Sequence, residues 1–378
     1  MIRGAGGTYV RRITPFLTVA LLALVVLAQA GCTLLGLADP RDRRAMLVPV
    51  SDGWLAMGTF FDADLRVLAE DVPGARAWLD ETRGEVARLE RIYSRHDPAS
   101  EVSLLNDHLA VETILGEPAR VGPELESILY EAVEVWEGSG GAFDPTIGPL
   151  IDVWKTAAEV GVWPSLPALR EAKRRVGSGG LLMPGGGVLD VTVHGMRIDL
   201  DGLSKGVVLD RLAKQFRERF PQGAALLSLG ESSIHAIGDP EGRPVGGGWR
   251  LEVRSRNEAR TRLATITLRD RAMSVSSSVG SLREIAGERV SHVIDPRIGG
   301  AVAGTVEAIV VAERAGLADG WSTALLVLGA QRDAMRLVEK AEVEAYVFES
   351  AGRIASTEGW ESLEVDSSES PGEGSTDG

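Results

Sequence analysis

Three stretches repeat apolar residues at helical period. Leu79, Val86, Leu89 and Tyr93 share one face of "AWLDETRGEVARLERIYS". Leu125, Ile128, Leu129, Ala132 and Trp136 do so in "PELESILYEAVEVWEGSGG", which starts at Pro123 and stops at glycine, as a helix favours. Val208, Leu209, Leu212 and Phe216 do so in "GVVLDRLAKQFRERF", which stops before Pro221. Strand-like runs are "VLDVTV", "MRIDL", "AALLSL", "WRLEVRS", "LATITL" and "VEAIVVA". Glycine-rich turns beginning at Gly185 and Gly246 favour antiparallel pairing. Helices gather in the first half and strands in the second. The pattern predicts an α+β fold: a single domain with largely antiparallel or mixed sheets and flanking helices.

The two ends read differently. Arg3, Arg11 and Arg12 precede the apolar run that starts at Phe16, and small residues lead to Ala30-Gly31-Cys32. A basic start, an apolar centre and a small-residue end describe a secretory signal, too short to span a bilayer comfortably. Ala30-Gly31-Cys32 resembles a bacterial lipobox, with Gln29 where an aliphatic residue is usual, so residues 1–32 are expected to be a lipoprotein signal peptide with lipidation at Cys32. Residues 33–50 are expected to be a tether, residues 51–360 the catalytic domain and residues 361–378 an acidic, disordered tail. That tail carries six acids and no bases. Such a segment cannot bury enough apolar area to offset its ordering entropy.

Composition narrows the chemistry. Of 378 residues, 44% are hydrophobic and 25% charged, enough for a sizeable core. The net charge of −14 becomes −17 once the leader and its three arginines are removed. That balance argues against nucleic acid as a partner. A polyanionic substrate would need local help, such as a metal ion. Cys32 is the only cysteine, so the exported domain holds no internal disulfide. The five histidines have no zinc spacing. No G-x-S-x-G elbow, P-loop or dinucleotide fingerprint appears.

Polar stretches interrupt the apolar order. In "IDLDGLSKG", Asp199, Asp201 and Lys205 lie between a strand-like run and a helix start. The helix start with Lys205 could hold a phosphate, or Asp201 or Ser204 could simply cap the helix. In "ADGWSTALLVLG", Asp319 and Thr323 are four apart and share a helical face. They are oxygen ligands suited to Mg²⁺, or an N-cap and a back-bonding threonine. "GGAFDPTIGPL" and "SHVIDPRIGG" both contain Asp-Pro turns. In the second, Asp295 either closes the turn or orients the imidazole of His292.

Taken together and in order, "MGT", "SRHDPASEVSLLN", "GAFDPTIGPL", "IDLDGLSKG", "SHVIDPRIGG" and "ADGWSTALLVLG" resemble the ApbE family of FAD:protein FMN transferases, from about Ser51 to Gly359. The resemblance implies Mg²⁺-dependent transfer of FMN from FAD to a Thr or Ser hydroxyl of a target flavoprotein, such as a subunit of a membrane redox complex, with release of AMP. It implies a periplasmic, lipid-anchored protein. Met57, His96, Ala142, Phe143, Asp144, Asp199, Lys205 and His292 match FAD-contacting positions, His96 standing where many relatives carry Tyr or Phe. Gly202, Asp319 and Thr323 match metal positions, the first through its backbone carbonyl. Catalysis falls to His292 and Lys205. The chain departs from the family wording at Glu231-Ser232-Ser233 and at Ser276 to Gly280. Two other readings use the same site: hydrolysis of FAD to FMN and AMP, or binding of FAD without chemistry.

Overall fold

The computed structural model describes residues 46–111, 117–255, 262–279 and 282–365. The expected signal peptide, Cys32 and most of the expected tether and tail therefore lie outside the described residues.

An eight-stranded sheet forms the centre. Its strands are β1 (Leu47–Ala56), β2 (Thr59–Leu68), β3 (Ala224–Leu229), β4 (Ser233–Ile237), β5 (Arg271–Ser277), β6 (Thr305–Ala312), β7 (Glu344–Glu349) and β8 (Ile354–Ser356). Each pairs antiparallel with the next, so the sheet is a meander with long insertions. The predicted α+β class and antiparallel pairing hold.

The central strand β6 explains the run "VEAIVVA". Ala308, Val310 and Ala312 face one hydrophobic cluster, while Ile309 and Val311 face another. A strand covered on both faces has no polar side, so it reads as continuous apolar sequence. β2 instead alternates, with Phe61, Ala63, Leu65 and Val67 all buried.

Eight α-helices occur among the described residues: α1 (Val72–Tyr93), α2 (Glu101–Leu109), α3 (Pro123–Gly138), α4 (Gly148–Val160), α5 (Leu166–Arg174), α6 (Ser204–Arg219), α7 (Ala315–Leu328) and α8 (Arg332–Lys340). The three predicted helices correspond to α1, α3 and α6. Helices α6 and α7 pack with the larger cluster through Val208, Leu212, Phe216, Ala318 and Leu325. The hairpin Trp249–Arg254 with Arg262–Leu268 covers the smaller cluster on the other face.

Three expectations change. "MRIDL" is not a strand of any sheet; only Arg197 bridges, to Ile147, because this segment is pinned by side chains and a loop instead. The sheet starts at Leu47, inside the expected tether. Order also runs past residue 360: Leu363 is buried, Glu364 bridges to Ile266, and the Val365 N–H donates to the Thr265 carbonyl at 2.8 Å.

Candidate active site

The segment that failed to form a strand is a scaffold for the site. Buried Asn106, from α2, brackets Ile198. Its Nδ2 donates to the Ile198 carbonyl at 2.9 Å and its Oδ1 accepts the Ile198 N–H at 2.6 Å. The next N–H, of Asp199, donates to the Pro145 carbonyl at 2.7 Å. Two sequence motifs distant in the chain are thereby locked side by side.

The Pro145 loop is organised by Asp144. Its Oδ1 accepts the Thr146 N–H at 2.9 Å, the Thr146 hydroxyl at 2.6 Å and the Ser178 hydroxyl at 2.7 Å. Asp144 is buried, and these donors offset the cost of removing its charge from water. Gly140 and Gly141, at φ of 61° and 79°, let the chain leave α3 and deliver Ala142 and Phe143.

The start of α6 is closed in an unexpected way. No side chain of its own turn caps it. Instead Asp319 Oδ2, from α7, accepts the Gly206 N–H at 3.3 Å. Asp319 Oδ1 accepts the hydroxyls of Ser274 at 2.9 Å and Ser233 at 3.3 Å. The capping reading for Asp201 and Ser204 is thus replaced by a tertiary contact. In return, Asp210 of α6 accepts the N–H groups of Ala315 and Gly316 at 2.7 and 2.9 Å, at the start of α7. The two helices cap each other.

These elements meet at a cavity of about 290 Å³. Nine of the eleven ligand positions implied by the resemblance line it: Ala142, Phe143, Asp144, Asp199, Gly202, Lys205, His292, Asp319 and Thr323. The remaining two lie elsewhere. Met57 sits in the β1–β2 turn, where its N–H donates to Glu90 Oε2 at 3.2 Å. His96 is exposed, although its Nε2 lies 3.4 Å from Asp201 Oδ2, and Asp201 is on the cavity wall.

Gly202 fits against its neighbours closely. A Cβ there would meet Thr323 Oγ1 at 3.1 Å and Phe143 Cε2 at 3.2 Å. The Thr323 hydroxyl donates to the Asp319 carbonyl at 3.2 Å, the expected back-bond, and this leaves its lone pairs available. Asp319 is only 3% exposed, and its donors are all neutral; no basic side chain pairs with it among the described residues. A buried carboxylate without a cation partner beside a hydroxyl and a glycine backbone suits a hard divalent ion. No group of three His, Cys, Asp or Glu placed to hold a metal ion occurs among the described residues, so such an ion would rely on one carboxylate and on its substrate.

Two cations escaped the sequence reading. Arg95 Nε donates to Asp201 Oδ2 at 2.8 Å and lies 2.9 Å from Asp199 Oδ2. Burial nevertheless pushes the Asp199 carboxyl up to about 6, helped by repulsion from Asp201. Arg283 lies in the short strand Arg283–Ile285, paired with Glu288–Val290 just before His292. Neither arginine sits in a recognisable spacing, so only folding reveals them. Asp295 takes the turn role. Arg297 Nε and Nη2 donate to its two oxygens at 2.9 and 2.8 Å, and the Gly299 N–H donates to its carbonyl at 2.8 Å.

The two stretches that depart from the family wording also meet here. Ser233 and Ser274 hold Asp319, and the Ser276 hydroxyl lies 2.8 Å from that of Ser322 on α7. A hydroxyl network therefore backs the carboxylate from the sheet side.

Comparison with known proteins agrees with this architecture. The chain is 26% identical to the FAD:protein FMN transferase of Klebsiella pneumoniae over 344 residues, covering 89% of this chain and 93% of that protein. It is also 26% identical to the FAD:protein FMN transferase of Escherichia coli K12 over 345 residues, with the same coverage. The crystal structure of the ApbE protein of Thermotoga maritima superimposes with a TM-score of 0.74 at 24% identity, covering 84% of this chain and all of that one. The flavin transferase ApbE from Vibrio cholerae gives 0.69 at 19% identity, covering 84% and 99%. The ApbE family model matches residues 57–347, and the chain belongs to the ApbE family.

Proposed function

We propose that this protein transfers FMN from FAD to a Ser or Thr hydroxyl of a target protein and releases AMP. The observation that carries the reading is the convergence of Lys205, His292, Asp319, Thr323 and Gly202 on one cavity, from segments separated by up to 121 residues in the chain. The names of the curated relatives supply the donor and the kind of acceptor.

The bond broken is the phosphoanhydride of FAD. The acceptor hydroxyl attacks the phosphorus of the FMN half, and AMP leaves with the bridging oxygen. His292 takes the hydroxyl proton, since imidazole titrates near neutral pH. Lys205 stabilises negative charge on the non-bridging oxygens, aided by the start of α6. Mg²⁺, held by Asp319, Thr323 and the Gly202 carbonyl, would neutralise the pyrophosphate and polarise the phosphorus. Phe143, 5% exposed at the cavity wall, offers an apolar surface to a flat ring.

The leader and Ala30-Gly31-Cys32 support export and lipid anchoring at Cys32, on the periplasmic face of a bacterial membrane. The acceptor would then be a periplasmic segment of a membrane redox complex.

The test incubates the protein with FAD, Mg²⁺ and a candidate acceptor, followed by in-gel flavin fluorescence. Covalent fluorescence on the acceptor with one AMP per flavin is expected. Rapid AMP release without acceptor would establish hydrolysis instead, and tight FAD binding with neither product would leave a carrier.

A further inference from the structure

Arg283 stands outside every set of residues discussed for catalysis, yet it lines the same cavity. Its Nη1 is buried and has no hydrogen-bond partner among the described residues. No ion pair joins Arg283 to a carboxylate among them either. This is not for want of acids. Four carboxylates line the cavity, and each is engaged elsewhere. Asp199 and Asp201 share Arg95, Asp144 holds Thr146 and Ser178, and Asp319 holds Ser233, Ser274 and Gly206.

Even a half-buried guanidinium without a counter-charge is costly, and more so beside a second cation. Burial and the nearby Arg95 both disfavour its charged form. An acidic chain that leaves Arg283, like Lys205, without a carboxylate partner at its cavity wall is set to receive an anion from outside. A guanidinium offers a planar fork that matches two phosphate oxygens. Its place in the fold agrees: Arg283 pairs in register with Val290, two residues before His292. One hairpin thus delivers both the imidazole and the guanidinium, while α6 delivers Lys205 to the same cavity.

We propose that Arg283 is a binding residue for the phosphates of the dinucleotide, and that it makes the site select phosphorylated flavins over the bare isoalloxazine-ribityl unit. This rests on the FAD-dependent function above.

The experiment compares the full chain with R283Q and R283K, in Mg²⁺, by flavin-fluorescence titration with FAD and with riboflavin, which has no phosphate. A charged hydrogen bond of this type accounts for about 10- to 100-fold in affinity. R283Q should lose that factor for FAD and retain the wild-type affinity for riboflavin, with R283K between. Equal losses for both ligands would mean a packing role, and no loss for FAD would mean none; either overturns the proposal. If R283Q fails to fold, R283K answers the question, because it keeps the charge and loses the fork: unchanged FAD binding to R283K overturns bidentate recognition. Wild-type protein that binds FAD selectively without transferring FMN would sink the proposed function and leave Arg283 standing. Wild-type protein with no preference for FAD over riboflavin would sink both.

Discussion

The Asp319 carboxylate accepts the Gly206 N–H at 3.3 Å, joining the site-facing turn of α7 to the first turn of α6. Lys205 and Gly206 are neighbours, so this contact fixes the ammonium-bearing turn relative to the carboxylate. It depends on the absence of a side chain at Gly206, where a methyl group would overlap the carbonyl oxygen of Ala315.

Gly206→Ala should therefore force the helices apart. Overpacking of this kind costs about 1–3 kcal/mol or more. A fall in chemical-denaturation midpoint accompanied by a larger loss of FMN transfer is the expected pattern. A variant with wild-type stability would show that the helices can separate freely.

Asp319→Asn should reduce FMN transfer to background at saturating FAD and Mg²⁺. The amide keeps an oxygen for Gly206 but removes the charge a divalent ion needs. Asp319→Ala should in addition lose about 1–3 kcal/mol, because Ser233, Ser274 and Gly206 keep buried donors with no acceptor. Transfer rates for both variants, set beside their unfolding curves, separate the two effects. Wild-type turnover in Asp319→Asn would refute the metal role.

Ser274→Ala removes the shorter of the two hydroxyl bonds to Asp319 Oδ1. Groups that orient a metal-binding side chain typically contribute about 10- to 100-fold in metal affinity. The Mg²⁺ concentration for half-maximal transfer should rise within that range, with the maximal rate little changed. A Mg²⁺ titration that overlays the wild type would show that the network does not orient the carboxylate.

Glu131 gives a pH dependence remote from the cavity. Burial pushes its carboxyl up to about 7, against the attraction of Arg314. A raised carboxyl pKa means the folded state holds the proton more tightly than the unfolded chain. Its stabilising contribution is complete below about 4.5 and is lost as pH rises through about 7. Glu131→Gln, which stays neutral, should flatten the fall in stability between pH 5 and pH 8. The effect should be on the order of 2–3 kcal/mol. Denaturant titrations of both proteins at these two pH values would measure it; parallel pH profiles would exclude Glu131 as the cause.

The sequence alone determined what periodicity and turn chemistry can encode. Leu79, Val86 and Leu89 place α1; the unbroken apolar run of β6 marks a strand buried on both faces; Asp295 and Gly299 close their own turn. Other elements carried weaker signals. The alternation of Phe61, Ala63, Leu65 and Val67 encodes β2, whereas "MRIDL" has strand-like letters and becomes a scaffold because Asn106 and Pro145 satisfy its backbone. Motif order also brought nine of the implied ligand residues to one cavity. The tertiary structure decided the rest, because it depends on partners far apart in the chain. Asp319 and Gly206 are separated by 113 residues, and nothing in either segment announces the other. The unmatched charge of Arg283 is likewise invisible in sequence, since whether a cation has a counter-charge depends on which carboxylates folding has already assigned elsewhere.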